Sequence, residues 1–284
     1  YGLSGISGLG NEAVTISDTT SAANVSGILS KTSGVVTATV TSDTAASLNS
    51  ALTNTTGNDA LTLTVTGTAA ATDLTALDGK TSVNVGATAV TTITGTQAQV
   101  VAINVGTITT SGNYAVTLSD TSLSAAAIKT VNTQNGTGAI DISSVTTITS
   151  STAADVLEIV NNTNSTFTTA ANYAVTLSGI SSASDVNTIV NDTTGIVTAT
   201  VTEATAASLN SALANASSTD ALTLTLTDTA LASADDLIAL DGKTSVAVNA
   251  TSVTSVTDTY ADINTLYGLS GISGLGNEAV TISD

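Results

Sequence analysis

Carboxylates return along this sequence at the close of alternating apolar and Thr segments, at Asp18, Asp43, Glu203, Asp228, Asp258 and Asp284, with Gly67, Gly95, Asp120, Ser150 and Gly179 at the matching places between them. The intervals are roughly 24 to 30 residues, within the range that marks repeat architectures. If each repeat lies against the next, the acids come about 5 Å apart and repel one another by roughly 1 kcal/mol in water. Two accounts offset that repulsion. Each acid caps the helix that follows it, worth about 0.5 to 2 kcal/mol, or the row takes up Ca²⁺, a cation that binds oxygen ligands alone. Capping is the simpler account, and the two are compatible. Other site chemistry is scarce. The chain has no His, Cys, Met or Trp, and its only cationic side chains are Lys31, Lys80, Lys129 and Lys243. Thiol chemistry, imidazole or thiolate metal sites and the commonest general base are therefore missing, and no enzyme is expected.

A second pattern is hydroxylic. Thr-x-Thr pairs recur at Thr37 and Thr39, Thr62 and Thr64, Thr147 and Thr149, Thr198 and Thr200, and Thr223 and Thr225. On adjoining strands these would form an uncharged hydroxyl face that resembles the threonine arrays of ice-binding solenoids, although Thr is also a good exposed strand residue. A third pattern is LDGKT, at Leu77 to Thr81 and Leu240 to Thr244. The phosphate-binding loop needs a glycine five residues before its last one, where Leu74 and Leu237 stand. The motif reads instead as a helix C-cap with a left-handed glycine.

The elements that carry these residues repeat. TAASLNSAL occurs at Thr44 to Leu52 and again at Thr205 to Leu213, and Tyr1 to Asp18 returns letter for letter as Tyr267 to Asp284. Each repeat holds a short Ala-rich segment with helical spacing, as in Val25, Ile28 and Leu29 or Val186, Ile189 and Val190, and then a strictly alternating strand. The longest repeats carry two β arms, as in AIDISSVTTITS and SVAVNATSVTSVTDT. Strand, helical crossover and strand of the same kind predict parallel pairing. The expected fold is an α/β solenoid of strand and short-helix coils with parallel β ladders; the alternative is an all-β parallel β-helix. About ten coils fill residues 1–284 as one continuous domain. The 266-residue spacing of the two identical segments reads as one period of a longer array.

Composition narrows the partners. A formal charge of −18 removes the attraction on which nucleic-acid binding depends, and no run of about 18 apolar residues predicts a membrane span. Only 2% of residues are aromatic, so the core is built from Ala, Val, Ile and Leu, and Pro is absent, as suits a backbone whose N–H groups are used in ladders.

The runs TAADVLEIVNNTNSTFTTAANYAVTLSG, TAASLNSAL and ATDLTALDGKTSVNVGATAVTTITGT resemble the Ala/Thr/Ser-rich repeat regions of giant bacterial cell-surface and secreted proteins, notably of cyanobacterial type. The resemblance implies an extracellular or cell-surface location and a structural, load-bearing role in a fibre, stalk or surface filament. The expected partner is the chain itself, through end-to-end or covalent tandem copies. An adhesin or ice-binding surface built on the Thr-x-Thr face is the alternative. No cofactor is expected other than Ca²⁺.

Overall fold

Most of the Ala-rich segments become helices behind a serine or threonine that caps them, whereas the helices at Ala71–Asp78 and Ala234–Asp241 start without a side-chain cap. Ser21, Thr44, Thr96, Thr152, Ser182, Thr205 and Thr259 each accept the backbone N–H three residues further on. That bond satisfies a donor that every helix start otherwise leaves orphaned. The helices are 6 to 10 residues long, too short to persist alone, so packing must hold them. The alternating segments become strands in which aliphatic residues face inward and Thr outward, as in Val36–Thr39 and Val197–Val201.

The computed structural model describes residues 6–103 and 106–284. In chain order the first elements are β1 (Val14–Thr15), α1 (Ala22–Leu29), β2 (Val36–Thr39), α2 (Ala45–Ala51), β3 (Ala60–Thr62), β4 (Thr64–Ala70), α3 (Ala71–Asp78) and β5 (Val85–Gly95). Next come α4 (Gln97–Ala102), β6 (Ile108–Thr110), β7 (Ala115–Leu118), β8 (Ser122–Ser124), α5 (Ala125–Gln134), β9 (Ile140–Ile142) and β10 (Thr147–Ser151). They are followed by α6 (Ala153–Val160), β11 (Phe167–Thr169), β12 (Ala174–Ser181), α7 (Ala183–Asp192), β13 (Val197–Val201), α8 (Ala206–Ala212) and β14 (Ala221–Thr223). The last are β15 (Leu231–Ser233), α9 (Ala234–Asp241), β16 (Val248–Asn249), β17 (Ser255–Asp258), α10 (Tyr260–Leu266), β18 (Ile272–Ser273) and β19 (Ala279–Ile282).

The chain forms two compact units. The first comprises the described residues up to Asp120, with Ala127–Ser144 and Asn164–Thr168. It holds a sheet ordered β1-β2-β3 and a larger one ordered β11-β9-β7-β5-β4, with β6 also on β5. Helices α1 to α4 pack one against the next. The second unit comprises Thr121–Ala126, Val145–Thr163 and Thr169–Asp284. Its sheets are ordered β14-β13-β12-β10-β8, β15-β17-β19 and β16-β18, and α6 to α10 pack in succession.

Neighbouring strands come from consecutive repeats and run parallel, as in β1 with β2, β2 with β3, β12 with β13 and β17 with β19. The chain is thus of the α/β class with all-parallel sheets, and the helices exclude the all-β alternative. The two-armed repeats appear as the long β5, as β9 with β10, and as β16 with β17. Cores are aliphatic: Val25, Leu48, Leu61, Leu74, Val186, Leu209, Leu222 and Leu237 are almost wholly buried. Among the described residues no helix is long and apolar enough to cross a membrane.

Candidate functional site

The acids end the strands, but they do not cap the helices that follow them. Ser or Thr does that, and several of the carboxylates reach back to the helix of the preceding repeat. Asp228 accepts the N–H of Ala206 at 2.8 Å, the first residue of α8, and Asp284 accepts that of Tyr260 at 2.9 Å, the first residue of α10. Asp120 accepts the N–H of Gln97 at 2.6 Å at the start of α4. Asp258 accepts the Ser233 hydroxyl at 2.9 Å and the Asp235 N–H at 3.3 Å at the start of α9. Register explains the reach. Ala204 bridges Leu226, Asp258 pairs with Ile282, Gly95 with Leu118 and Ser233 with Thr257, so Asp228, Asp284 and Asp120 stand two residues, and Asp258 one residue, beyond the last paired position, where the neighbour has turned into helix. A negative charge there meets the positive end of the helix dipole. Asp43 accepts the N–H of its own successor, Thr44, at 2.7 Å. Asp18 and Glu203 are exposed.

One group of three carboxylates forms among the described residues. Asp235, Asp258 and Asp262 bring one oxygen each within 4.8 Å of one another. Of the six acids in the sequence row only Asp258 belongs to it; Glu203, Asp228, Asp284, Asp18 and Asp43 do not. Asp235 comes from the first turn of α9 and Asp262 from that of α10, brought together because α9 and α10 are neighbours. The signal was an acid in the first turn of two consecutive helices, which a search for strand-end acids passes over. The charges of Asp262 and Asp258 push the Asp235 carboxyl above its ordinary value. Hydrogen bonds from Ser233 and from the Asp235 N–H hold Asp258 below its own. Three such oxygens are part of the donor set that Ca²⁺ takes.

The ten Thr-x-Thr residues all stand exposed or half-exposed, yet their rows are short. Thr39 pairs with Thr62 and Thr200 with Thr223. Thr37 lies between Thr15 and Ala60, and Thr198 between Thr176 and Ala221. Thr147 pairs with Ser122 and Ala174, Thr149 with Ser124, Thr64 with Gly86, and Thr225 with Asn249. The Thr200 row also meets Ile180, which is 74% exposed, where a bulge at Gly179 (φ 74°) shifts the register.

The polar groups that bind one repeat to the next are buried ones. Asp59, 1% exposed, accepts the N–H of Val36 at 2.9 Å from the preceding repeat and the Thr56 N–H at 3.0 Å. Asp220 does the same for Val197 at 3.1 Å and Ser217 at 3.0 Å. The Thr81 hydroxyl accepts the Leu61 N–H at 3.0 Å and contacts the Leu61 carbonyl at 2.8 Å as donor. Thr244 repeats this with Leu222 at 2.9 and 2.7 Å. Thr32 and Thr193 donate to the carbonyls of Glu12 and Tyr173 at 2.7 and 2.6 Å. The sequence signal was present as a Thr-Ser or Thr-Thr pair just before the strand, in KTSGVV, KTSVNV, DTTGIV and KTSVAV.

These bonds also account for LDGKT. Lys80 donates to the carbonyl of Leu52 and Lys243 to that of Leu213, each at the C-terminal end of the previous helix. The left-handed glycine is not found, because Gly79 and Gly242 keep φ of −69° and −71° and still donate to helical carbonyls. The chain leaves the helix along the path that Lys and Thr fix, so no reversal is required. No protein-family model, curated protein or solved structure matches the chain.

Proposed function

We propose that this chain is a structural, load-bearing segment of an extracellular or cell-surface filament, fibre or stalk. Its repeats stack as an α/β solenoid of about ten coils, and the 266-residue block recurs head to tail. The observation that supports this best is where the buried polar bonds go. Asp59, Asp220, Thr81 and Thr244, all buried, each make a hydrogen bond to the preceding repeat, and the half-buried Lys80 and Lys243 reach its helix-end carbonyls. Cohesion made between neighbours, and not around one centre, is what passes tension along an array. The resemblance of the sequence to repeat regions of giant bacterial surface proteins points the same way, and the charge of −18 keeps such a thread dispersed.

The role is mechanical and needs no catalysis. The Thr rows, at most two threonines deep and interrupted by Ala60, Ala221 and Ile180, make a weaker basis for an ice-binding or adhesive face. Electron microscopy and fibre diffraction of the native material test the filament directly. A smooth thread with a meridional spacing of about 4.8 Å, advancing about 48 Å per ten repeats, is expected. Separate globular particles without that spacing would refute it.

A further inference from the structure

The segment present twice, at residues 1–18 and 267–284, keeps the same turn in both places from Gly8 to Glu12 and from Gly274 to Glu278. Gly8 and Gly274 have φ of 88° and 91°, and Gly10 and Gly276 of 141° and 123°. Glu12 accepts the N–H groups of Gly10 and Asn11 at 2.7 and 3.1 Å; Glu278 accepts those of Gly276 and Asn277 at 2.7 and 2.9 Å.

What differs is the edge each copy uses. β1 pairs with the strand after it, Val14 opposite Val36, and the N–H groups of Val14 and Ile16 donate to Val35 and Thr37 at 3.0 and 2.9 Å. β19 pairs with the strand before it, Val280 opposite Val256, and the N–H groups of Ala279 and Ser283 donate to Thr254 and Asp258 at 2.9 and 3.0 Å. Alternate N–H groups of a parallel strand point to opposite sides. Those of Val280 and Ile282, the equivalents of Val14 and Ile16, therefore point away from β17, where β19 ends its sheet. The flanking helices are divided in the same way. Tyr267 is the C-cap of α10, whereas the earlier copy leads through Ser21 into α1. Each copy displays one half of a joint.

We infer that successive blocks meet by sharing this segment, so that Tyr267–Asp284 of one block is the stretch Tyr1–Asp18 of the next, and not a second stretch laid beside it. The inference rests on the filament reading and fixes its register. Val256, Val280 and Val36 of the following block form one row, and Thr257, Thr281 and Thr37 another. Asp284 keeps its bond to the first turn of α10. Val280 and Ile282, 46% and 50% exposed in this chain, are covered by the following β2. The groove along α1 lined by Ile16, Ala23, Gly27 and Ile28 receives the preceding α10, as α9 packs on α10. Laying two copies side by side would instead place β1 of the next copy beside β19 with no helix between them, whereas the paired neighbours β1 and β2, β12 and β13, and β17 and β19 are each separated by a helix.

The test compares three chains by amide hydrogen exchange: residues 1–284, residues 1–284 continued directly by 19–284, and residues 1–284 followed by a whole second 1–284. In the directly continued chain the Val280 and Ile282 amides slow by at least about tenfold relative to the 284-residue chain, while Ala279 and Ser283 change little. In the duplicated chain Val280 and Ile282 exchange as they do in the 284-residue chain. Unslowed amides in the directly continued chain, loss of its cooperative unfolding, or equal slowing in the duplicated chain would each overturn the shared joint. Native material without filaments would sink the proposed function and leave this result standing.

Discussion

Replacing Asp59 by Ala removes the carboxylate that joins β2 to the loop before β3. Val36 is fully buried, so its N–H, now 2.9 Å from Asp59 Oδ1, would lose its partner with no water to replace it. A hydrogen bond to a charged group contributes about 1.5 to 3 kcal/mol, and an orphaned buried donor costs about 1 to 3. The Thr56 N–H and hydroxyl, at 3.0 and 3.1 Å from the other oxygen, sit in a partly exposed loop where water can take over. The expected loss is therefore about 2 to 4 kcal/mol, dominated by one backbone donor. With a urea slope of about 2 kcal/mol per molar, the midpoint falls by roughly 1 to 2 M. Hydrogen exchange at the Val36 amide should accelerate in parallel. Asp59→Asn keeps one acceptor oxygen but turns an N–H donor toward Thr56, and an intermediate loss is expected. Asp220→Ala is the internal replicate, and exposed Glu203→Ala, with a change within about 0.5 kcal/mol, is the control. A loss below about 1 kcal/mol from Asp59→Ala, with Val36 still protected, would refute the assignment of inter-repeat cohesion to these carboxylates.

Asp228→Ala removes the cap on α8 from the next repeat and should cost about 0.5 to 2 kcal/mol by urea unfolding, with faster exchange at the Ala206 amide. Two glycines should respond with opposite signs. At Gly138 a Cβ would fall 2.0 Å from the Tyr114 carbonyl oxygen, so Gly138→Ala should destabilise by about 1 to 3 kcal/mol or more. At Gly27, within α1, a Cβ meets nothing within 4 Å, so Gly27→Ala should stabilise by about 0.5 to 1 kcal/mol. Asp235 has its carboxyl raised by Asp262 and Asp258, so its charge opposes folding at neutral pH and that penalty fades as pH falls through the raised value. Asp235→Asn should therefore melt at a higher temperature than the parent at pH 7 in calcium-free buffer, and the difference should vanish below about pH 3.9. A difference that persists unchanged at low pH would show that repulsion is not its cause.

The local script was legible in the residues. Alternation placed the strands and helical spacing placed the Ala-rich helices, but their caps, expected from the strand-end acids, come from the Ser or Thr just before the helix. The strand–helix order made the pairing parallel, because a helical crossover returns the chain to the same end of the sheet. The row of strand-end acids was also visible, since it lies in the chain itself. Which helix each acid serves was not, because that depends on the register of neighbouring strands, which leaves the acid one or two residues past the point where the preceding strand turns into helix. The same holds for Asp235 and Asp262, which meet Asp258 only because two helices 26 residues apart lie side by side, and for Thr81 and Thr244, whose hydroxyls take a place in the backbone ladder of another repeat. A sequence period determines which residues recur. Only the tertiary structure decides which recurrences touch, since a register shift of one or two residues moves a carboxylate from one hydrogen-bond donor to another.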